Sequence, residues 1–377
     1  MLRLFVWVAA LLASASTTLV VHDSRNTVPA GFDQGLVPDG AEMLTLRIGL
    51  VPANRSKFED IALSVSDRRS ASYGQYLTAA ELSELVGPTN GTSGLITNWL
   101  VANNVTFSST SPLGNMLKLR LSVQQANQMF GALFLEYRHI ASGQKAIRTL
   151  SYSVPLALKA HIGFIHPTTN FDFAPKPTGQ AVNTRTNNST ILSRASLVSS
   201  SCDDITSLSC IQALYGVPLN AQVVVPGNLL WVMTNDQSPV YLNDNDVQEF
   251  LVETRAGLAL GPPLVPILDE NAEITSEMFD GATMIPTLAT EYTAALTGKR
   301  AQLFIGDSNQ GFLNPIMNMI DAIMNTNNKP TVVVIPSGIA ESIGTTIAGM
   351  SIVCDALGGL GTMGKPGFCL LLFSNFE

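Results

Sequence analysis

Apolar and polar positions change period repeatedly between Glu42 and His166. Met43-Leu44-Thr45-Leu46-Arg47-Ile48-Gly49-Leu50 alternates residue by residue, the pattern of a strand with one buried face, and Lys57 to Val65 returns to helical spacing. Thr78-Ala79-Ala80-Glu81 has the form of a capping box, in which the Thr hydroxyl and the Glu carboxylate satisfy free amides at the start of a helix running to Val86. Leu117-Lys118-Leu119-Arg120-Leu121 alternates again, and Ser122 to Phe134 is helical in spacing. Strands and helices of this kind share one sheet, so the pattern predicts a compact α+β unit.

Between Phe171 and Ser201 the periodicity stops. This stretch is rich in Pro, Thr, Asn and Ser, including Pro175 and Pro177. Such a segment cannot bury enough surface to offset its ordering entropy, so it is expected to be mobile and open to proteases. It reads either as a plain interdomain tether or as a cleavage region between two units.

The second half follows another pattern. Apolar runs at Leu229–Met233, Leu264–Leu268, Gln302–Ile305, Val332–Ile335 and Cys369–Phe373 alternate with stretches long enough for helices: Asp246–Ala256, Pro286–Leu296, Pro315–Met324 and Ile343–Leu357. Continuous apolar strands between helices are buried on both faces, which predicts a parallel, doubly wound α/β sheet. Chemistry in such sheets collects at the carboxyl ends of strands, which makes Asp307, Ser337 and Asn375 the first candidates, although turn and capping roles are commoner there. No Gly-x-Gly-x-x-Gly follows a strand, and Gly358-Gly359-Leu360-Gly361 reads as a helix end, so dinucleotide binding is a poor fit.

Composition narrows the function classes. The 377 residues are 46% apolar and 13% charged, enough for two domains and too apolar for a mostly disordered chain. A net charge of -8 gives no basic footprint for nucleic acid or an anionic membrane. The four cysteines show no zinc-site spacing, and His22, His139, His161 and His166 all lie in the first half, so the second half has no Ser-His-Asp triad of its own. Met1–Arg3, the apolar run Leu4–Ala13 and Ala13-Ser14-Ala15 have the order of a cleaved secretory signal, too short to span a bilayer. Asn-x-Ser/Thr sequons begin at Asn54, Asn90, Asn104, Asn187 and Asn188, the first four in regions polar enough for loops. Signal and sequons together predict a secreted, glycosylated chain with no membrane anchor after processing, divided into 1–18, 19–171, 172–201 and 202–377.

Several motifs carry a family resemblance. Tyr73-Gly74-Gln75-Tyr76-Leu77-Thr78 with Glu81-Leu82, then Arg148-Thr149-Leu150-Ser151-Tyr152-Ser153-Val154-Pro155, then His161-Ile162 and His166-Pro167-Thr168-Thr169-Asn170-Phe171, resemble in order the activation pro-domain of sedolisins, the serine-carboxyl peptidases that include fungal tripeptidyl-peptidases. The resemblance implies a ferredoxin-like pro-domain that assists folding and blocks the peptidase until acid triggers cleavage, so the linker would be the zymogen cut. Beyond the linker it continues through Ile211–Pro218, Asn245–Leu251, Val353-Cys354, Leu360-Gly361, Gly364 and Leu371–Ser374, which resemble part of a subtilisin-like α/β catalytic domain with a parallel sheet. It also implies that Cys202 and Cys210 pair; Cys354 and Cys369 are either a second pair or two buried thiols, with the buried alternative preferred.

The family mechanism is not matched residue by residue. The resemblance implies a Glu general base and an orienting Asp four apart on one helix face, a serine in a Ser-Gly-Thr-Ser turn, and a further Asp that donates to the oxyanion. Registering the helix on Glu291-Tyr292 puts Ile285 at the Glu position and Ala289 at the Asp position; neither side chain moves a proton. Glu273 and Glu277 have the spacing but read as a solvated pair upstream. The oxyanion Asp register falls on Glu377, with Asn375 and Phe376 in the turn, and the family's calcium site falls in a region absent from this sequence, so no cofactor is expected. Three readings follow: an inactive sedolisin homologue whose pro-domain binds an active relative's catalytic domain; a truncated record of an active acid tripeptidyl-peptidase; or a non-enzymatic α/β binding module.

Overall fold

Met43–Leu50 forms its strand, but the strand is buried on both faces rather than one. Leu44, Leu46 and Ile48 enter one core, while Arg47, 3% exposed, occupies the face that alternation assigns to solvent. A second unit covers that face. The computed structural model describes residues 18–111, 113–141, 143–171, 202, 207–220, 229–234, 240–258, 260–270, 272–277, 285–307, 311–336, 347–363 and 370–372. The expected signal, the linker, Asn187, Asn188, Ser337, Cys369, Asn375 and Glu377 lie outside these residues, apart from Thr18 at the signal boundary and Phe171 at the linker's start.

In the amino-terminal unit the order is β1 (Leu19–Ser24), β2 (Phe32–Gln34), β3 (Met43–Leu50), α1 (Arg55–Ser66), α2 (Ala79–Val86), α3 (Asn90–Ala102), β4 (Thr106–Ser109), β5 (Met116–Ser122), α4 (Val123–Phe130), β6 (Leu135–His139), β7 (Lys145–Arg148), β8 (Ser151–Pro155) and β9 (Ile162–His166). The main antiparallel sheet runs β4-β5-β3-β9, with β2-β6-β7 and β1-β8 as separate small sheets. The strands thus divide among several sheets instead of sharing one. The helical stretch from Ser122 stops at Phe130, earlier than its spacing suggests, because Gly131 takes a left-handed φ of 52° and turns the chain toward β6.

Both ends of the capping box at α2 are made: the Glu81 amide donates to Thr78 Oγ1 at 3.2 Å and the Thr78 amide donates to Glu81 Oε2 at 2.7 Å. These bonds hold the Glu81 carboxyl below its ordinary range. Leu82, Leu85 and Val86 are thereby aimed into the core. Thr78→Ala is expected to cost about 1 kcal/mol, read as a lower denaturation midpoint with an unchanged m-value.

The second unit comprises α5 (Leu208–Tyr215), β10 (Leu230–Thr234), β11 (Val240–Tyr241), α6 (Asp244–Thr254), β12 (Ile267–Leu268), β13 (Ile274–Thr275), α7 (Ile285–Thr297), β14 (Gln302–Ile305), α8 (Leu313–Asn325), β15 (Val332–Ile335), α9 (Ile347–Thr362) and β16 (Leu370–Leu372). Five strands pair in the order β12-β14-β10-β15-β16, every neighbouring pair parallel. Leu230, Val232, Leu303, Ile305 and Val334 face Ala289 of α7, whereas Trp231, Met233, Phe304, Val333 and Ile335 face α8 and α9. Covered faces on both sides explain the unbroken apolar runs. Of the run Leu264–Leu268 only Ile267 and Leu268 join the sheet.

Gly358, Gly359 and Gly361 fall at the carboxyl end of α9, as expected, but α9 runs on to Thr362 and none of them terminates it. Their smallness serves approach instead: a Cβ on Gly358 would sit 3.3 Å from Phe58 of α1, and one on Gly359 3.5 Å from Leu82 of α2. Glycine's helix penalty is offset by contact between the two units.

The units share one core. Phe58, Leu82, Leu85, Val86, Met116 and Phe164 from the first pack with α8, α9 and the sheet face of the second. Polar contacts surround this core: the Leu77 amide donates to the Thr362 carbonyl at 2.7 Å, Arg55 pairs with Asp355 at 3.2 Å and Lys118 with Glu270 at 2.5 Å.

Candidate functional site

The carboxyl edge of the parallel sheet carries the candidate chemistry. Asp307, two residues past β14, is 2% exposed, and Asp269 follows β12 directly. The Asp307 amide donates to Asp269 Oδ2 at 3.5 Å, and Asn318 of α8 donates its Nδ2 to the same oxygen at 2.5 Å. Burial, more than any other influence, pushes the Asp269 carboxyl up; the Asn318 bond opposes this and the Asp307 charge adds to it.

Arg47 of β3 reaches the same place from the other unit. Its Nη1 donates to Asp321 Oδ2 at 2.7 Å and to Thr110 Oγ1 at 3.0 Å, and its Nη2 donates to Asn318 Oδ1. A continuous chain of polar contacts therefore runs from Asp269 through Asn318 to Arg47 and Asp321. It contains no nucleophile beside a base. Charge pairing in a buried setting makes it a clamp.

Arg47, Asp269, Asn318 and Asp321 were not sequence candidates. Their signals were local: Arg47 interrupts the nominally exposed face of a strand otherwise rich in apolar residues, and Asn318 and Asp321, three apart, sit on a helix otherwise almost wholly buried.

Ile285 is the first residue of α7, and Ala289, one turn on, packs partly buried against the sheet. The two share one helix face, and neither offers a titratable group there. Glu291 is two residues further, off that face, and its carboxyl is pushed up to about 7 by burial first and then by the Asp246 charge. Asp246 in turn accepts a hydrogen bond from the Tyr241 hydroxyl at 2.5 Å. Glu273 and Glu277 flank the strand β13 instead of sharing a helix face.

The sign of the Glu291 effect follows from its raised value. The folded state binds the proton more tightly than the unfolded one, so the contribution is fully present below about pH 4.5 and lost as pH rises through about 7. After allowance for partial solvent exposure we expect about 1 kcal/mol. Glu291→Gln is expected to flatten the pH dependence of the unfolding midpoint across that window; an unaltered slope would contradict the assignment.

Cys202 and Cys210 form a disulfide at the start of α5, with Cα atoms 5.7 Å apart. Cys354 is a free, exposed thiol on α9, which corrects the buried expectation; it sits on the outward side of a helix whose Val353 and Leu360 face the core. Asn54 and Asn104 are exposed in turns, while Asn90 is exposed but is the first residue of α3 rather than part of a loop. Among the described residues no group of three or more His, Cys, Asp or Glu converges on a metal position, and no helix is long and apolar enough to cross a membrane.

Residues 31–171 match the pro-kumamolisin activation domain family. The amino-terminal unit is similar to a pro-kumamolisin activation domain. The homology extends past this pro-domain. A probable tripeptidyl-peptidase SED4 of Trichophyton verrucosum is 24% identical over 94% of this chain and 61% of its own length. A probable tripeptidyl-peptidase SED2 of Arthroderma benhamiae is 24% identical over 96% and 63%, and aorsin of Aspergillus oryzae is 23% identical over 70% and 42%. Behind its pro-domain the chain is thus homologous, across most of its length, to fungal tripeptidyl-peptidases of the sedolisin type. It spans about three fifths of the length of the two tripeptidyl-peptidases.

Proposed function

We propose that this chain is a secreted sedolisin-type peptidase homologue without peptidase activity of its own, whose pro-domain holds its α/β unit and binds the catalytic domain of an active relative. The observation that carries the inactivity is the occupation of the family's Glu and Asp positions by Ile285 and Ala289 on one face of α7. Without a base, a serine hydroxyl is a weak nucleophile, and loss of one member of such a system lowers the rate by orders of magnitude.

The strand order β4-β5-β3-β9, with helices after β3 and β5, supports a ferredoxin-like reading of the pro-domain. The parallel sheet with helices on both faces supports a subtilisin-like reading of the second unit. Pro-domain residues that grip α8 and α9 within this chain are the surface that would meet the same helices in a relative. The described residues offer no acidic cluster for the calcium that the resemblance implies, so no step runs through it.

The test incubates the secreted chain at acid pH with a tripeptide-releasing substrate, and separately with an active sedolisin. No turnover above a mock control, with inhibition of the relative, is the expected result. Turnover that survives repurification of the chain would overturn the inactivity, and an unaffected relative would overturn the inhibitor role.

A further inference from the structure

The main sheet of the pro-domain, β4-β5-β3-β9, ends in β9 on one side and β4 on the other. The β9 edge is covered: its Ile165 amide donates to the Tyr152 hydroxyl of β8 at 3.1 Å, and the His22 ring of β1 stands 3.4 Å from the Gly163 carbonyl. At the opposite edge, among the described strands, β4 pairs with β5 alone, Thr106 to Ser109 lying across from Arg120 to Leu117. Thr106, Ser108 and Ser109 are exposed, and the strand carries no charge, no proline and no register shift. Charge, proline and bulges are the devices that keep a sheet edge from pairing with another chain. An edge without them is a template for a second copy.

A sequon stands where the guard is missing. Asn104-Val105-Thr106 runs directly into β4, with Asn104 exposed in the turn after α3 and Thr106 exposed as the first residue of the strand. Asn104 has a left-handed φ of 54°, a conformation that asparagine tolerates better than most residues. The other two sequons among the described residues are placed less openly. Asn90 begins α3, and the hydroxyl of its Thr92, 5% exposed, lies 2.8 Å from His161 Nδ1, so folding withdraws that sequon. Asn54 begins at the seam between the units, where the next residue, Arg55, pairs with Asp355.

We infer that Asn104 carries an N-linked oligosaccharide that screens the β4 edge from strand pairing with a second copy of the chain. Transfer of the sugar takes place in the secretory pathway, so this rests on the secreted reading above. Asn104 Nδ2 bonds to the anomeric carbon of an oligosaccharide carried on a lipid pyrophosphate. The anomeric C–O bond breaks, the lipid pyrophosphate leaves with the electron pair, and the amide gives up one proton. An N-linked sugar is bulky and solvated. Two residues before β4, it fills the space that an incoming strand needs.

The full chain is secreted from a eukaryotic host, treated with peptide-N-glycosidase in heavy-oxygen water and mapped by mass spectrometry; the same map reports whether Cys202 and Cys210 are bonded. Asn104 is expected to read as aspartate carrying heavy oxygen, and the intact chain to sediment as a monomer. Asn104→Gln and Thr106→Ala remove the acceptor and the hydroxyl of the sequon separately; each should lose the sugar and shift the chain to a concentration-dependent dimer. Adding Ser108→Glu to Asn104→Gln should restore the monomer, since like charges would face each other across the paired edges. A secreted, disulfide-bonded chain with bare Asn104 would overturn the inference and leave secretion standing. A chain retained in the cell with Cys202 and Cys210 reduced would overturn both. Sugar-free variants that stay monomeric would overturn the screening role.

Discussion

Replacing Arg47 with alanine is expected to detach the pro-domain from the α/β unit. The guanidinium is 4% exposed and its partner carboxylate, Asp321, 12%. Removing one partner leaves the other charged and buried, at a cost of about 3–5 kcal/mol. Asn318 loses a donor at the same time, so the Asp269 carboxyl, already raised by burial, loses a fixed neighbour. A single cooperative unfolding transition should become two, with new protease-sensitive sites near α8. Replacing Arg47 by methionine together with Asp321 by leucine should recover most of the loss, since an apolar pair of similar volume leaves no stranded charge.

The second large effect is expected from Phe58→Ala. Phe58 is 3% exposed on α1 and lies against Gly358 of α9, where a missing side chain lets the two helices meet. Truncation leaves a void that neither helix can close, worth about 3–5 kcal/mol. Leu36→Ala, at a side chain 79% exposed, should stay within about 0.5 kcal/mol and serves as the control in the same denaturant series.

These two sites mark where sequence reading succeeded and where it stopped. Periodicity located β3, α1, α2 and the alternating sheet units, because each sets its apolar positions at a regular spacing whichever unit covers them. The capping box at Thr78 was legible since its partners are three residues apart. Burial by the opposite unit was not legible. Arg47 reads as the exposed side of a strand until α8 covers it, and the α9 glycines read as a terminator until α1 and α2 pack on them. Contacts separated by 274 residues leave no local signature beyond a polar residue in an apolar setting. The expectation that Ile285 and Ala289 stand at the family's Glu and Asp positions comes only from the family resemblance, since isoleucine and alanine on a helix carry no signal of their own. The exposure of Cys354 was hidden for the converse reason: an apolar helical stretch gives no hint of which side faces out.

The most direct test of a pro-domain clasped to its α/β unit is a double-mutant cycle between Arg47 and Asp321, measured by denaturant unfolding of the full chain. The docked arrangement predicts that the single replacements Arg47→Ala and Asp321→Ala are strongly non-additive, with a coupling of about 2 kcal/mol or more. Additivity of the two within about 0.5 kcal/mol would contradict it, because residues so far apart in the chain couple only where the two units meet.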